Sequence, residues 1–319
     1  VEGCQGRRTG CGRVGMSGST KLLQRFAPAK LNLRLRVFSR DETGYHGVET
    51  LLLALELSDR IALTPGASGI RLAVEGDPGV PADSNNLCWR AAESLYGAAG
   101  IEPAVSIVLE KRIPSMAGLG GGSSDASATL VALNEMLGLP VGPEQLTRIA
   151  GELGSDVPFG LVGRPFALGW ERGRRLIPLR APPPRPVAIA VPPFGVSASD
   201  AYRWLAADRG AADPDSGSFA ESAGGMVLPP PDELVNWDVL ESLVCNDLER
   251  PVFGRHPELR IIRDGLLESG ASRAILCGSG SCVAGIFDST EVRDRAAVEL
   301  EQRAGVQVIR TMTKELEAG

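Results

Sequence analysis

The chain has 319 residues, 43% of them hydrophobic and 23% charged, which is the make-up of a globular protein with enough length for two domains of ordinary size. Its net charge of −6 gives no overall basic field for nucleic acid, and no apolar run approaches membrane-spanning length, so neither partner is expected. Two histidines, His46 and His256, leave little material for a histidine metal site.

The first 21 residues are rich in Gly, Arg and Ser and lack the apolar stretch of a signal peptide, so 1–21 is expected to be a disordered extension, with Met16 a candidate start. Cys4, Cys11, Cys88, Cys245, Cys277 and Cys282 form no C-x-x-C pair, a spread that suggests reduced thiols and a cytoplasmic location. Leu31, Leu33, Leu35 and Val37 alternate with Asn32, Arg34 and Arg36, the period of a strand. Lys30 and Asn32 then share one face and can address a common ligand. Further strands are predicted at 60–64, 70–74 and 105–110, and helices at 86–96, 124–137 and 144–153; Pro143 precedes the last and Gly154 stops it.

The proline cluster Pro182-Pro183-Pro184-Arg185-Pro186 reads as a linker between domains at 22–181 and 187–319. Beyond it come a strand at 187–191, a polar insertion at 210–231 with the composition of a mobile loop, a helix at 257–269, a strand running into Gly278, a strand at 283–287 and a last helix from about Glu291. Mixed strands and helices without a regular βαβ repeat predict an α+β fold.

The most informative stretch is Pro114-Ser115-Met116-Ala117-Gly118-Leu119-Gly120-Gly121-Gly122-Ser123-Ser124-Asp125, between a predicted strand and a predicted helix. A glycine turn opening a helix gathers free backbone N–H groups at the positive end of the helix dipole, an arrangement that binds phosphate. It is not a Walker A loop, because no lysine follows the glycines, and it is not the dinucleotide fingerprint, because Ser123 or Asp125 falls where the sixth-position glycine belongs. Ser123 or Ser124 could cap the helix, touch phosphate or ligate Mg²⁺. The plainer alternative is a structural turn with a serine cap, but three adjacent glycines exceed what a cap requires.

Three other segments carry two readings each. Cys277-Gly278-Ser279-Gly280-Ser281 is a β-turn between strands or a second backbone cradle over phosphates. In Gly154-Ser155-Asp156-Val157-Pro158, Asp156 is the cap of a short helix or a general base, and Lys30 is a solvated strand lysine or the charge partner that keeps Asp156 ionised. Tyr45 and His46, between Gly44 and Gly47, are structural or face a heterocyclic base.

Taken in order, Pro28-Ala29-Lys30-Leu31-Asn32-Leu33, Gly44-Tyr45-His46, the 114–125 loop, Gly154-Ser155-Asp156-Val157-Pro158, Asn246-Asp247-Leu248-Glu249 and Gly278-Ser279-Gly280 resemble the GHMP kinase superfamily of galactokinase, homoserine kinase, mevalonate kinase and phosphomevalonate kinase. Within it, the Pro-Ala-Lys-Leu-Asn and Gly-Tyr-His segments are similar to the branch acting on a cytidine-diphosphate-linked methylerythritol. The resemblance runs from about Ala27 to the C-terminus. It implies a two-domain fold with the active site in the interdomain cleft, and ATP- and Mg²⁺-dependent phosphorylation of the erythritol 2-hydroxyl in the non-mevalonate isoprenoid pathway, by a monomer or homodimer. Asp156 would be the catalytic base and Lys30 its partner. Lys111 and Pro114 to Ser124 would hold ATP, with Asn86 near adenine and Ser124 assisting the metal. Asn32, Tyr45, His46, Tyr202 (stacking on cytosine), Gly278, Ser279 and Gly280 would meet the acceptor substrate.

This chain departs from the superfamily pattern in places. Ala198 stands where a threonine is common, so Ser199 would have to take over its hydroxyl contact. Trp170-Glu171-Arg172-Gly173-Arg174-Arg175 replaces a segment usually richer in glycine, and the 210–231 insertion is long. The nearest alternative is another GHMP-type kinase acting on mevalonate, homoserine or a sugar, against which Gly44-Tyr45-His46 and Tyr202 argue; a non-catalytic nucleotide binder is the alternative from another class, and retention of both Lys30 and Asp156 argues against it.

Overall fold

The computed structural model describes residues 22–40, 46–171, 175–210 and 228–315. The expected extension at 1–21, most of the 210–231 insertion, Tyr45 and residues 172–174 lie outside them.

Two long strands, β1 (Leu23–Arg40) and β2 (His46–Pro65), pair antiparallel and form the spine of the molecule. The alternation seen at 31–37 is real, but the polar face is not solvated: Lys30, Asn32 and Arg34 are buried along with Leu31, Leu33 and Leu35. A polar residue is held inside only where partners satisfy it, so the strand announces a site. The β1–β2 register slips between Pro28 and Lys30. There the Lys30 amide bonds the Leu119 carbonyl at 2.9 Å, which docks the glycine loop onto β1.

Strands β3 (Gly69–Glu75) and β4 (Ala104–Glu110) are parallel, joined through helix α1 (Leu87–Ala99), and β4 lies antiparallel to β2. Asn86 begins α1 as its N-cap, accepting from the Cys88 amide at 2.8 Å, and Gly100 ends it in the left-handed conformation. Helices α2 (Gly121–Met136) and α3 (Pro143–Leu153) pack with α1 in a cluster with Ile61, Leu63, Ile107 and Leu109 of the sheet. Helix α2 starts three residues before the predicted 124, because Gly121 and Gly122 are themselves helical; of the loop glycines only Gly118 and Gly120 have positive φ. A 3-10 turn (Val157–Leu161) then leads to β5 (Phe166–Glu171), which pairs with β2, and to β6 (Arg175–Leu179).

The proline cluster leads directly into β7 (Pro186–Val191). Helix α4 (Ala198–Gly210), helix α5 (Trp237–Leu243), the two-residue β8 (Cys245–Asn246), helices α6 (Glu249–Arg255) and α7 (Pro257–Glu268), strands β9 (Arg273–Leu276) and β10 (Val283–Ile286), helix α8 (Thr290–Ala304) and strand β11 (Gln307–Met312) complete the chain. The first sheet runs β3-β4-β2-β1-β8 with β5 and β6 branching from β2; the second runs β11-β7-β10-β9. The α+β expectation holds. The two sheets share one core: Leu31, Leu33, Leu51 and Leu53 cluster with Val187, Ile189, Ala284 and Ile286. Strand β8, from beyond the proline cluster, joins β1 in parallel. No helix among the described residues is long and apolar enough to cross a membrane.

Candidate active site

Lys30 and Asp156 meet where the glycine loop crosses β1. The Lys30 ammonium donates to Asn32 Oδ1 at 2.7 Å and to the Gly118 carbonyl at 3.1 Å, and stands 3.2 Å from Asp156 Oδ2. Two of the three ammonium protons thus go to fixed acceptors, and Asp156 pairs with the charge. Asn32 is fixed in turn by donating to Thr50 Oγ1 of β2 at 2.9 Å. The lysine side chain is 7% exposed and the aspartate 36%, so the cation is anchored from behind and the carboxylate faces the opening. Asp156 precedes the 3-10 turn but its side chain makes no capping bond, so the capping alternative falls away. Gly160 sets this turn against α2, since a Cβ there would lie 2.4 Å from Ser127 Oγ, and Gly154 brings the segment within van der Waals reach of Ser123 Oγ.

The glycine loop stands over this pair. Gly118 (φ +75°) and Gly120 (φ +71°) take left-handed turns that only glycine accepts without strain. At Gly120 a Cβ would sit 2.8 Å from Lys30 Cε, and at Gly118 it would sit 1.7 Å from the Cys277 carbonyl oxygen. Helix α2 therefore begins with a left-handed Gly120 and no side-chain cap. The Ser124 amide bonds back to the Gly120 carbonyl at 2.9 Å, while the N–H groups of Gly121, Gly122 and Ser123 occupy the first turn, which has no intrahelical acceptors. Neither serine caps the helix. Lys30, Gly120, Ser124, Asp156 and Arg164 line one cavity of about 320 Å³ beside the pair.

The second glycine motif is the β-turn that one of its two readings expected. The Gly280 amide bonds the Cys277 carbonyl at 2.7 Å, which is a β-turn between β9 and β10. The same turn walls the site: a Cβ on Gly278 (φ +51°) would lie 2.8 Å from the Gly118 carbonyl oxygen, 3.3 Å from Lys30 Nζ and 3.4 Å from Asn32 Oδ1. Cys277 and Cys282 sit just outside the strands and close the turn, with the Cys277 amide on the Cys282 carbonyl at 2.9 Å. Burial pushes the Cys277 thiol up and that of Cys282 to about 12, so neither is a nucleophile.

Three of the residues expected at ATP have other partners. The Lys111 ammonium lies beneath the loop between Asp59 and Asp125, the latter at 2.8 Å. Asp59 Oδ1 also accepts from the amides of Arg112 and Ile113, at 2.5 and 2.9 Å. A Cβ on Gly121 would lie 3.2 Å from the Lys111 ammonium, so this charge group supports the start of α2 from below. Burial, aided by the Asp59 charge and opposed by Lys111, raises the Asp125 carboxyl to about 7, and its Oδ1 has no hydrogen-bond partner. Asn86 spends its side chain on the α1 cap and on the Pro81 carbonyl at 2.7 Å. Ser115 donates to Asp77 at 2.7 Å and tethers the loop entrance, and Met116 is exposed.

On the far wall, Tyr202 projects from α4 half-buried; burial, with a further push from the Asp156 charge, takes its phenol to about 12. Ser197 caps α4, its Oγ accepting from the Asp200 amide at 3.1 Å, while Ser199 is exposed with its Oγ 3.1 Å from that of Ser197. His46 opens β2, paired with Arg40; its side chain, like Tyr45, lies outside the described residues. His256, to which the sequence assigns no role, stacks on Phe194 at 4.8 Å. Sequence reasoning missed Thr50, Asp59 and the Gly118–Cys277 contact, none of which carries a local signal.

Fold and site define a glycine-loop kinase of the GHMP class. The GHMP kinases N terminal domain family matches residues 86–164 and the GHMP kinases C terminal family residues 235–307. The 4-diphosphocytidyl-2-C-methyl-D-erythritol kinase of Pelotomaculum thermopropionicum is 40% identical over 90% of this chain and 96% of its own length; that of Geobacter sp. strain M21 is 37% identical over 89% and 96%. A crystal structure of 4-(cytidine 5'-diphospho)-2C-methyl-D-erythritol kinase superposes with a TM-score of 0.70 at 36% identity, covering 92% of this chain and all of that one. Homoserine kinase from Cytophaga hutchinsonii shares the fold at a TM-score of 0.69 and 18% identity, covering 95% of this chain and 98% of its own. The chain belongs to the 4-diphosphocytidyl-2-C-methyl-D-erythritol kinase family.

Proposed function

We propose that the protein transfers the γ-phosphoryl group of ATP to the 2-hydroxyl of 4-diphosphocytidyl-2-C-methyl-D-erythritol, a step of non-mevalonate isoprenoid synthesis. The observation that carries this reading is the Lys30–Asp156 pair, 3.2 Å apart at the start of α2. Phosphoryl transfer needs alignment and charge neutralisation more than covalent help. The first-turn amides of α2 and the dipole end behind them hold the β- and γ-phosphates. Asp156, the more exposed partner, orients the acceptor hydroxyl and takes its proton as the oxygen attacks phosphorus. Lys30 stabilises the charge that develops.

Among the described residues no group of three His, Cys, Asp or Glu side chains makes a metal cage. Mg²⁺ rarely needs one, since phosphate oxygens and water fill most of its shell. Ser124 and Asp156 line the same cavity and fit that habit. When bound there, Mg²⁺ would supply charge neutralisation across the phosphates. Tyr202 and the Gly278–Gly280 turn face the cytidyl and diphosphate parts of the acceptor. Cys88, Cys245, Cys277 and Cys282 are free thiols, in agreement with a reducing cytoplasm.

Asp156→Ala tests the assignment in a coupled assay with ATP and the cytidyl substrate. A positioned base contributes about 10²- to 10⁴-fold in rate, so kcat falls by that order while calorimetry still detects ATP binding. Near-normal turnover removes Asp156 from the role. Faster phosphorylation of mevalonate or homoserine in the same assay removes the substrate assignment and leaves the kinase.

A further inference from the structure

The segment Asn246-Asp247-Leu248-Glu249 has no part in the mechanism above, yet it reaches both halves of the active site. Asn246 ends β8, whose parallel pairing places it beside Leu35 of β1. Its buried Nδ2 donates twice across to the second sheet, to the Leu276 carbonyl at 2.9 Å and the Gly278 carbonyl at 2.7 Å, while its Oδ1 accepts from the Leu248 amide at 2.9 Å. Glu249 Oε1 accepts from the Leu276 amide at 2.9 Å. Asp247 faces the other way: its amide bonds the Leu35 carbonyl, its Oδ2 accepts from the Val37 amide at 2.9 Å, and Arg36 and Arg209 flank the carboxylate. One four-residue stretch thus fastens the strand carrying Lys30 to the turn that touches Lys30.

We propose that Asn246 and Glu249 are positioning residues for phosphoryl transfer, setting the Gly278 turn so that Lys30 is held in register with Asp156. The contacts run in series. Asn246 holds the Gly278 carbonyl, Gly278 packs against the Gly118 carbonyl oxygen, and that oxygen accepts from the Lys30 ammonium, which stands 3.2 Å from Asp156. Because C=O and N–H of a trans peptide point opposite ways, fixing the Gly278 carbonyl on Asn246 also turns the Ser279 amide away from Asn246. A turn free to move by an ångström would take the Gly118 carbonyl with it, and misplacement on that scale costs about 10²-fold in rate. The inference rests on the kinase reading above.

The test compares Asn246→Ala, Glu249→Leu and Glu249→Gln with the wild-type enzyme, below each variant's unfolding midpoint and per ATP-binding site counted by calorimetry. Asn246→Ala and Glu249→Leu are expected to lose about 10- to 10²-fold in kcat, with Kd for ATP within about twofold of wild type and a raised KM for the acceptor. Glu249→Gln keeps the oxygen acceptor and recovers most of the loss. A purely structural role lowers Tm but leaves kcat per site unchanged, and folded variants with wild-type kcat overturn the proposal. If the variants do not fold, amide exchange in the wild type decides: Gly278 to Ser281 exchanging at the rate of a surface hairpin overturns it, and protection matching β9 supports it. A wild-type enzyme inactive on the cytidyl substrate would instead sink the kinase reading itself.

Discussion

Two glycines of one loop, Gly118 and Gly122, should respond to substitution by alanine in opposite ways. At Gly118 the backbone is left-handed (φ +75°), and a new Cβ would lie 1.7 Å from the Cys277 carbonyl oxygen, half the 3.4 Å at which ordinary contact begins, with the Cys277 carbonyl carbon at 2.6 Å and the Gly280 amide nitrogen at 3.0 Å. The left-handed conformation alone costs a residue with a Cβ about 1–2 kcal/mol. Overpacking against atoms that cannot rotate away adds about 1–3 kcal/mol, since backbone on both sides is held by hydrogen bonds. The sum, about 2–5 kcal/mol, is a large share of the roughly 5–15 kcal/mol that keeps a domain folded. Gly122 is helical and a Cβ there meets only Leu87 Cδ1 at 3.7 Å. Alanine at that position is expected to be neutral or to stabilise by up to about 0.5–1 kcal/mol, through the smaller conformational freedom of the unfolded chain. Urea unfolding of both variants, followed by circular dichroism, reads the difference. If Gly118→Ala is no less stable than Gly122→Ala, the two glycine turns do not interlock and the account of how Lys30 is held fails with them.

Tyr202→Ala should raise KM for the cytidyl acceptor without changing Kd for ATP, because a base–aromatic stack contributes about 1–3 kcal/mol; an unchanged KM in steady-state kinetics removes the stacking role. Asp125, raised to about 7 by burial, holds a proton in the folded protein that the unfolded chain releases above about pH 4. Its contribution to stability therefore falls as pH rises from about 4 to 7 and is level above that, so the urea midpoint of Asp125→Asn should gain on wild type across that window. A constant difference from pH 4 to pH 8 would refute the raised value.

Local chemistry made much of the fold legible. Alternation marked the centre of β1, Pro143 and Gly154 bracketed α3, and the glycine run marked the start of α2 to within a turn. What escaped were elements whose local signals are weak. Strand β5 carries Gly169 in its middle, and β6 carries Pro178 on a strand paired along one side only. Helix α4 buries just Ala201 and Leu205 fully, too little for a helical period to show through Ser197, Ser199 and Asp200. Strand β11 becomes a strand because β7 offers it an edge, a fact about the second sheet and not about the residues 307–312 themselves.

The site divides along the same line. Residue types and spacing flagged Lys30, Asp156 and both glycine turns, each with a plain alternative that nothing nearby in sequence could dismiss. For the two charged residues long-range distances dismiss it: Lys30 is no solvated strand lysine because it is buried, donates to Asn32 and the Gly118 carbonyl and stands 3.2 Å from Asp156, and Asp156 is no cap because its side chain makes no capping bond and lies beside that ammonium. The same logic separates the two lysines. Lys111 ends up between Asp59 and Asp125, buried, with one carboxylate more than it can neutralise, so its charge is spent inside the protein. At Lys30 a single carboxylate faces a single ammonium and stands open to the cleft, free to trade the lysine for an incoming hydroxyl. That difference in charge balance, set by which strands and turns converge and not by either lysine's neighbours in the chain, separates the support of the loop from the chemistry proposed beneath it.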